Sequence, residues 1–205
     1  MTDRKALGSS TPGQGPRAAI QAASAAGTDW IQIREKDLPA RELLNLARGA
    51  VEAGASRIIV NDRLDVAVAA GAAGVHLGHE SVPAPEVVKW CRDGNAPAGF
   101  LVGVSCHSFA DAKEAEMAGA DYVFFGPVFE TPSKVAFGAP QGIARLAEVC
   151  AAVRLPILAI GGISEQNAGE CIRAGAGGIA AIRLFQEAAD AGALKRIVDR
   201  LHTLA

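Results

Sequence analysis

The 205-residue sequence predicts an α/β fold of the (β/α)8 TIM-barrel class, its first strand truncated, in a single domain over residues 1–205. Three observations carry this. From residue 28 onward one grammar recurs: a short β-rich apolar run, a polar or glycine turn, then an Ala/Leu-rich amphipathic segment, which is the βα unit. The apolar runs are continuous rather than alternating, as expected of a parallel sheet covered on both faces. Their number approaches eight in about 200 residues, whereas a doubly wound open sheet would normally carry a Gly-rich phosphate loop after its first strand. None stands there.

The predicted strands are Asp29–Arg34, Arg57–Asn61, Gly74–Gly78, Leu101–Ser105, Tyr122–Gly126, Ile157–Gly161 and Gly178–Ile182. Between and around them the pattern predicts helices near 16–26, 38–53, 64–71, 83–92, 108–118, 143–153, 164–174 and 184–203. Several end in the glycine that helix C-termini favour: Gly27, Gly54, Gly71, Gly119 and Gly175. An eightfold pattern needs a strand before the first helix, yet the chain opens Met1-Thr2-Asp3-Arg4 without an apolar run. The first strand is therefore expected to span a few residues at most. An N-terminal segment or a partner chain should cover the edge left open.

Composition narrows the function classes. With 20 Lys+Arg against 22 Asp+Glu, a net charge of −2 and no dense basic block, the chain has no electrostatic footprint for nucleic acid. Its apolar stretches are too short for a membrane helix, and no signal-peptide core opens the chain, so a cytoplasmic protein with no membrane partner is expected. Cys91, Cys106, Cys150 and Cys171 are scattered without zinc-ligand spacing and read as reduced, mostly buried thiols. A homo-oligomer is compatible with the sequence, which does not fix the oligomeric state.

In a βα barrel the residues just after each strand form the active face. In Gln32-Ile33-Arg34-Glu35-Lys36, Gln32 and Arg34 share a face, and Arg34 with Lys36 could hold a diphosphate. The plain alternative is an ion pair of Arg34 with Glu35 or a neighbouring strand's acid. Asp62, in Asn61-Asp62-Arg63, suits an oxygen-liganded Mg²⁺ shared with substrate phosphates, or else caps the following helix. His76 reads as a hydrogen-bonded interior histidine, and Glu80 as a candidate second oxygen ligand. Ser105 and His107 share a face, while Cys106 points the other way and cannot take His107 as a base. The longest connection, Gly126 to Gln141, offers Thr131, Ser133 and Lys134, two hydroxyls and an ammonium suited to phosphate oxygens, unless it is a solvated surface loop. Gly161-Gly162 and the Ile182-Arg183 step follow the last two strands, where such barrels commonly bind phosphate through backbone N–H groups.

Taken together, several of these runs resemble the thiamine phosphate synthase family from about Asp3 to the end of the chain. They are Gln32–Lys36, Asn61-Asp62-Arg63, Gly74–Gly78, Gly103-Val104-Ser105 with His107, Gly119–Tyr122, Gly126–Phe129, Thr131 with Lys134, and Ala159–Ile163. The resemblance implies a (β/α)8 barrel that joins an aminopyrimidine methyl diphosphate to a thiazole phosphate, releasing pyrophosphate with Mg²⁺ assistance. It further implies that Gln32 faces the pyrimidine, that Arg34, Lys36, Asn61 and Lys134 hold the diphosphate, and that Asp62 binds Mg²⁺. Ser105, Thr131 and Ser133 would add hydrogen bonds, and the backbone at Gly162 and Ile182-Arg183 would receive the thiazole phosphate. Lys134, Arg34 and Ser105 would act most directly on the reaction.

Three departures stand out. Ser81 occupies the place of the family's second aspartate, Ser133 that of a threonine, and Arg183 that of a serine. They keep two alternatives open: a thiazole tautomerase-like isomerase, and a non-catalytic binder of phosphorylated ligands. Against the isomerase, Pro127 stands where that branch carries its catalytic histidine.

Overall fold

The computed structural model describes residues 1–4, 15–54, 56–131 and 139–204. Among them are seven parallel strands, β1 (Trp30–Ile33), β2 (Arg57–Asn61), β3 (Gly74–Leu77), β4 (Leu101–Cys106), β5 (Tyr122–Phe125), β6 (Ile157–Ile160) and β7 (Gly178–Ala180). Around them run α1 (Pro16–Ala26), α2 (Ala40–Ala53), α3 (Leu64–Ala70), α4 (Ala84–Trp90), α5 (Phe109–Ala118), α6 (Gly142–Ala152), α7 (Ala168–Arg173), α8 (Arg183–Gln186) and α9 (Ala191–His202). The (β/α) repeat of the TIM-barrel class is borne out, with every predicted strand present. The chain divides into two compact units: Met1–His76 with Lys89–Leu101 and Ile182–Arg200, and Leu77–Val88 with Val102–Ala181 and Leu201–Ala205.

In the first unit, β1 pairs with β2 and β2 with β3, in registers that set Gln32 opposite Ile59 and Asn61 opposite His76. Ile31, Ile33, Ile58, Ile59, Val60 and Val75 are buried on these strands, so the unbroken apolar runs are explained by burial of both faces. Helix α9 closes this unit by packing Leu194 and Val198 against Ala26 of α1, with Ala22 and Phe185 around them. Met1–Arg4 holds no strand. It nonetheless lies along β1, where the Thr2 N–H donates to the Gln32 carbonyl at 2.8 Å and Thr2 Oγ1 accepts from the Arg34 N–H at 3.0 Å. The covered edge predicted for the missing strand is thus supplied by the chain itself.

In the second unit β4, β5, β6 and β7 pair in sequence order, setting Ser105 opposite Phe124 and Ile160 opposite Ala180. All four residues of β5 are buried. Helix α5 begins with a local signal legible in the sequence: Ser108 Oγ accepts from the Asp111 N–H at 3.1 Å, and Asp111 in return accepts from the His107 N–H at 2.7 Å.

Three helix predictions need correction. The single helix expected over 184–203 is two, α8 and α9, because Asp190 takes the start of α9, its Oδ1 accepting the Ala193 N–H at 2.7 Å. The helix expected over 83–92 leaves regular α geometry after Trp90 and closes in a wider turn, Cys91–Asn95, ended by Gly94 at φ 89°. The helix expected from 164 starts at Ala168, since the Asn167 side chain is engaged in the turn before it. Gly27, Gly54, Gly71 and Gly119 are left-handed C-caps as predicted. No helix among the described residues is long and apolar enough to cross a membrane.

Candidate active site

At the carboxyl ends of β1 and β2 in the first unit, three predicted residues form one hydrogen-bonded row. Gln32 is 5% exposed, and its Nε2 donates to Asn61 Oδ1 at 2.9 Å. Asn61 Nδ2 then donates to Asp62 Oδ2 at 2.9 Å. Each amide is thereby fixed in orientation by its neighbour. Gln32 Oε1 is left as a buried acceptor with no partner among the described residues, an arrangement that normally marks an unfilled role.

Asp62 is also the one non-glycine residue with positive φ among the described residues, at 62°. Left-handed backbone is uncommon outside glycine, although aspartate is enriched there, and such outliers gather at functional sites. The Asp62 carboxylate meets the Asn61 amide, and Arg63, the residue from which α3 starts, makes no side-chain cap. His76, on β3, is 1% exposed, as expected of an interior histidine. Burial lowers its pKa to about 3, the Asp62 charge opposing the shift, so the ring is neutral across the physiological range.

Arg34 is half-buried and its guanidinium lies 3.5 Å from Asp3. Among the described residues Glu35, which is buried, pairs with Arg4 instead. Lys36 is exposed on the same segment, Ile182 is half-buried at the start of α8, and Arg183 is exposed beside it.

In the second unit, Ser105 is half-buried at the end of β4 and the His107 ring Nδ1 meets the Gly126 carbonyl. Cys106 is fully buried, and burial, reinforced by Asp111 and Glu114, pushes its thiol up to about 12. It is therefore inert, as the strand alternation predicts. Cys171 is likewise buried, whereas Cys91 and Cys150 are half-buried thiols. Thr131 is half-buried. Ser133 and Lys134 lie outside the described residues.

The Gly-Gly loop after β6 is built by close approach. Gly162 has φ 67°, and a Cβ there would stand 2.5 Å from the Glu130 carbonyl oxygen and 2.7 Å from Phe129 Cβ. The Phe129 N–H donates to the Gly161 carbonyl at 3.0 Å, so the connection after β5 lies directly on this loop. Sequence reasoning missed the residue that closes it. Asn167 Nδ2 donates to the Gly162 carbonyl at 2.9 Å, and its Oδ1 accepts the Ser164 N–H at 2.8 Å. Its available signal was the Ser164-Glu165-Gln166-Asn167 spacing, an Asx-type contact to backbone three and five residues earlier.

For a metal, Asp62 supplies a hard oxygen donor, while Glu80 is exposed and Ser81 Oγ accepts the Gly78 N–H at 2.6 Å. No cluster of three or more His, Cys, Asp or Glu side chains able to hold an ion occurs among the described residues. One carboxylate suits Mg²⁺, which commonly keeps waters and takes its other ligands from substrate phosphates.

Comparison with known proteins bears on family and fold. The family model described as thiamine monophosphate synthase matches residues 8–185. The chain is 47% identical over 184 residues to the thiamine-phosphate synthase of Methanoculleus marisnigri, covering 87% of this chain and 84% of that protein. It is 43% identical over 190 residues to the thiamine-phosphate synthase of Moorella thermoacetica, covering 91% and 88%. Among solved structures, thiamine phosphate pyrophosphorylase from Pyrococcus furiosus superposes with a TM-score of 0.80 at 31% identity, covering 93% of this chain and 89% of that one. The chain belongs to the thiamine monophosphate synthase family.

Proposed function

We propose that this chain is a transferase of thiamine biosynthesis, a thiamine-phosphate synthase. It would join 4-amino-2-methyl-5-pyrimidinylmethyl diphosphate to a thiazole phosphate with release of pyrophosphate, acting as one domain over residues 1–205. The observation that carries the reading beyond family membership is the Gln32–Asn61–Asp62 row, which ends in a buried, unpartnered Gln32 Oε1. Such an acceptor, held rigid by Asn61, suits the amino group of a flat heterocycle. A phosphate would be repelled by it.

In the reaction the methylene–oxygen bond of the pyrimidine substrate breaks, and its electron pair leaves with pyrophosphate. The thiazole nitrogen lone pair then closes the new carbon–nitrogen bond. This chemistry needs stabilisation of the departing negative charge more than a base or nucleophile. Arg34 and Lys36 supply fixed positive charge after β1, and Lys134 is assigned the leaving group from the connection after β5. The second N–H of Asn61 is assigned to a phosphate oxygen. Ser105, Thr131 and Ser133 contribute hydroxyls, while Gly162, Ile182 and Arg183 receive the thiazole phosphate. Asp62 is the residue assigned to Mg²⁺, which when bound neutralises diphosphate charge as a Lewis acid.

Incubating the protein with both heterocyclic substrates and Mg²⁺ tests the reading. Thiamine phosphate and pyrophosphate should appear in equal amounts. Saturable ligand binding without either product would refute it in favour of a binder, and interconversion of thiazole isomers alone would identify an isomerase.

A further inference from the structure

Three consecutive residues at the start of the chain each hold a different part of the segment Gln32–Asp37. Thr2 takes the backbone of Gln32 and Arg34. Asp3 pairs with the Arg34 guanidinium at 3.5 Å. The Arg4 N–H donates to Glu35 Oε2 at 3.2 Å, and its guanidinium stands 3.9 Å from that oxygen and 2.8 Å from Asp37 Oδ2. The main chain of Asp3 faces the Gln186 amide of α8, which, oriented to satisfy both groups, accepts the Asp3 N–H at 3.1 Å and donates to the Asp3 carbonyl at 3.3 Å.

We infer that Arg4 is a positioning residue for Arg34 and Lys36, presenting these two cations to an anionic ligand by occupying the acids interleaved with them, Glu35 and Asp37. The inference rests on the diphosphate-binding reading of Arg34 and Lys36 given above. The segment Arg34-Glu35-Lys36-Asp37 alternates in sign and sums to zero. Left to itself, each acid competes with a diphosphate for the neighbouring cation. Arg4 occupies these two competitors at once, because a guanidinium fork can serve two carboxylates where an ammonium serves one point, and Asp3 remains the acid that a ligand would displace from Arg34.

A second observation separates this from a stabilising ion pair. Arg4 Nη1 and Glu35 Oε1 are both buried without a hydrogen-bond partner among the described residues. Buried polar atoms are normally paired, so an open donor and an open acceptor on the two partners of one contact are not the geometry of a fully satisfied structural ion pair.

The test is titration of inorganic pyrophosphate, with Mg²⁺, into the wild-type protein and the variants Arg4→Ala, Arg4→Lys and Asp37→Asn. Turnover on both substrates is followed in parallel. Arg4→Ala should weaken pyrophosphate binding about tenfold, as loss of one charge-assisted contact would, and Arg4→Lys should recover only part of it. Asp37→Asn is the sharper variant. It makes the segment one charge more positive, so net charge alone predicts tighter binding, whereas in the positioning role it strips the Arg4 guanidinium of its 2.8 Å anchor and releases Glu35 to compete for the two cations, so binding should weaken by about threefold. In turnover the KM for the pyrimidine diphosphate should rise in each variant with the KM for the thiazole phosphate unchanged. Asp37 is exposed, so this variant keeps the test decisive even where Arg4→Ala fails to fold. Equal or tighter pyrophosphate binding by Asp37→Asn, wild-type affinity in Arg4→Lys, or no pyrophosphate binding by the wild type would each overturn the inference. Wild-type binding without thiamine phosphate formation would instead sink the synthase reading, and the same titrations would still decide the role of Arg4.

Discussion

Replacing His76 with glutamine removes a titratable ring from a site with 1% exposure while keeping a polar side chain of similar reach. In the wild type, burial depresses the folded-state pKa from 6.5 to about 3. The unfolded chain therefore binds a proton between those values that the folded chain refuses. Stability from this group is fully present above the unfolded pKa and is lost as pH falls toward the folded one. At about pH 5 the loss depends only on the distance below 6.5, roughly 1.5 pH units at 1.36 kcal/mol each, or about 2 kcal/mol. This magnitude does not depend on the depth of the depressed value, provided that value lies well below pH 5. Against a total stability of roughly 5–15 kcal/mol the effect is large. Urea unfolding of both proteins, in buffer free of divalent cations, at about pH 7 and about pH 5 isolates it, because surface carboxylates titrate alike in the two and cancel in the difference. The wild type should lose about 2 kcal/mol more than His76→Gln between the two conditions. Parallel losses would show that the ring is protonated in the fold.

Further outcomes concern the site. Lys134→Ala should lower turnover by roughly 10²-fold, about 3 kcal/mol of transition-state stabilisation, with thermal unfolding nearly unchanged. Unaltered kcat would remove this lysine from the reaction. Arg183→Ala should chiefly raise the KM for the thiazole phosphate, by the equivalent of roughly 1.5–3 kcal/mol, and steady-state kinetics with each substrate varied in turn will show whether it does. Ser81→Asp restores the second aspartate that the family resemblance implies and should lower the Mg²⁺ concentration needed for half-maximal activity; an unchanged Mg²⁺ titration counts against a metal role for position 81. Asn167→Asp keeps the acceptor for the Ser164 N–H but turns a donor to the Gly162 carbonyl into a repelling oxygen. It should cost about 1–3 kcal/mol in thiazole-phosphate affinity, with pyrophosphate affinity at the wild-type value.

The strands were legible because burial on both faces leaves an unmistakable apolar run, and six of the seven observed strands fall within those runs while β4 extends one residue further, to Cys106. Helix boundaries were less so. The breaks at Asp190 and Asn167 depend on side chains choosing backbone N–H groups over helix continuation, a local competition that composition does not reveal. At the site, residue types pointed to Gln32, Asn61 and Asp62, and the fold joins them in a row. What the sequence could not show was partnership across distance. Asp3 meets Arg34, Arg4 meets Glu35 and Asp37, and Gln186 meets Asp3, each pairing residues separated by about thirty positions or far more. The two acids of the Gln32–Asp37 segment read as ordinary surface charge until the chain brings Arg4 against them.

The positive φ of Asp62 restricts the neighbours this position can drift to. In left-handed backbone a short polar side chain that bonds its own surroundings is tolerated, whereas a residue without that bond carries a penalty of roughly 1–2 kcal/mol. Asparagine is therefore a nearly silent step for the backbone and a complete one for the charge. Glutamate keeps the charge but sets it one methylene further out and gives up the local fit. A lineage can extinguish this carboxylate in a single substitution without unsettling the fold, yet cannot readily lengthen its reach, so the short side chain is imposed by the turn as much as by whatever it holds. The same asymmetry governs experiments: alanine at 62 confounds lost charge with lost backbone fit, and asparagine does not.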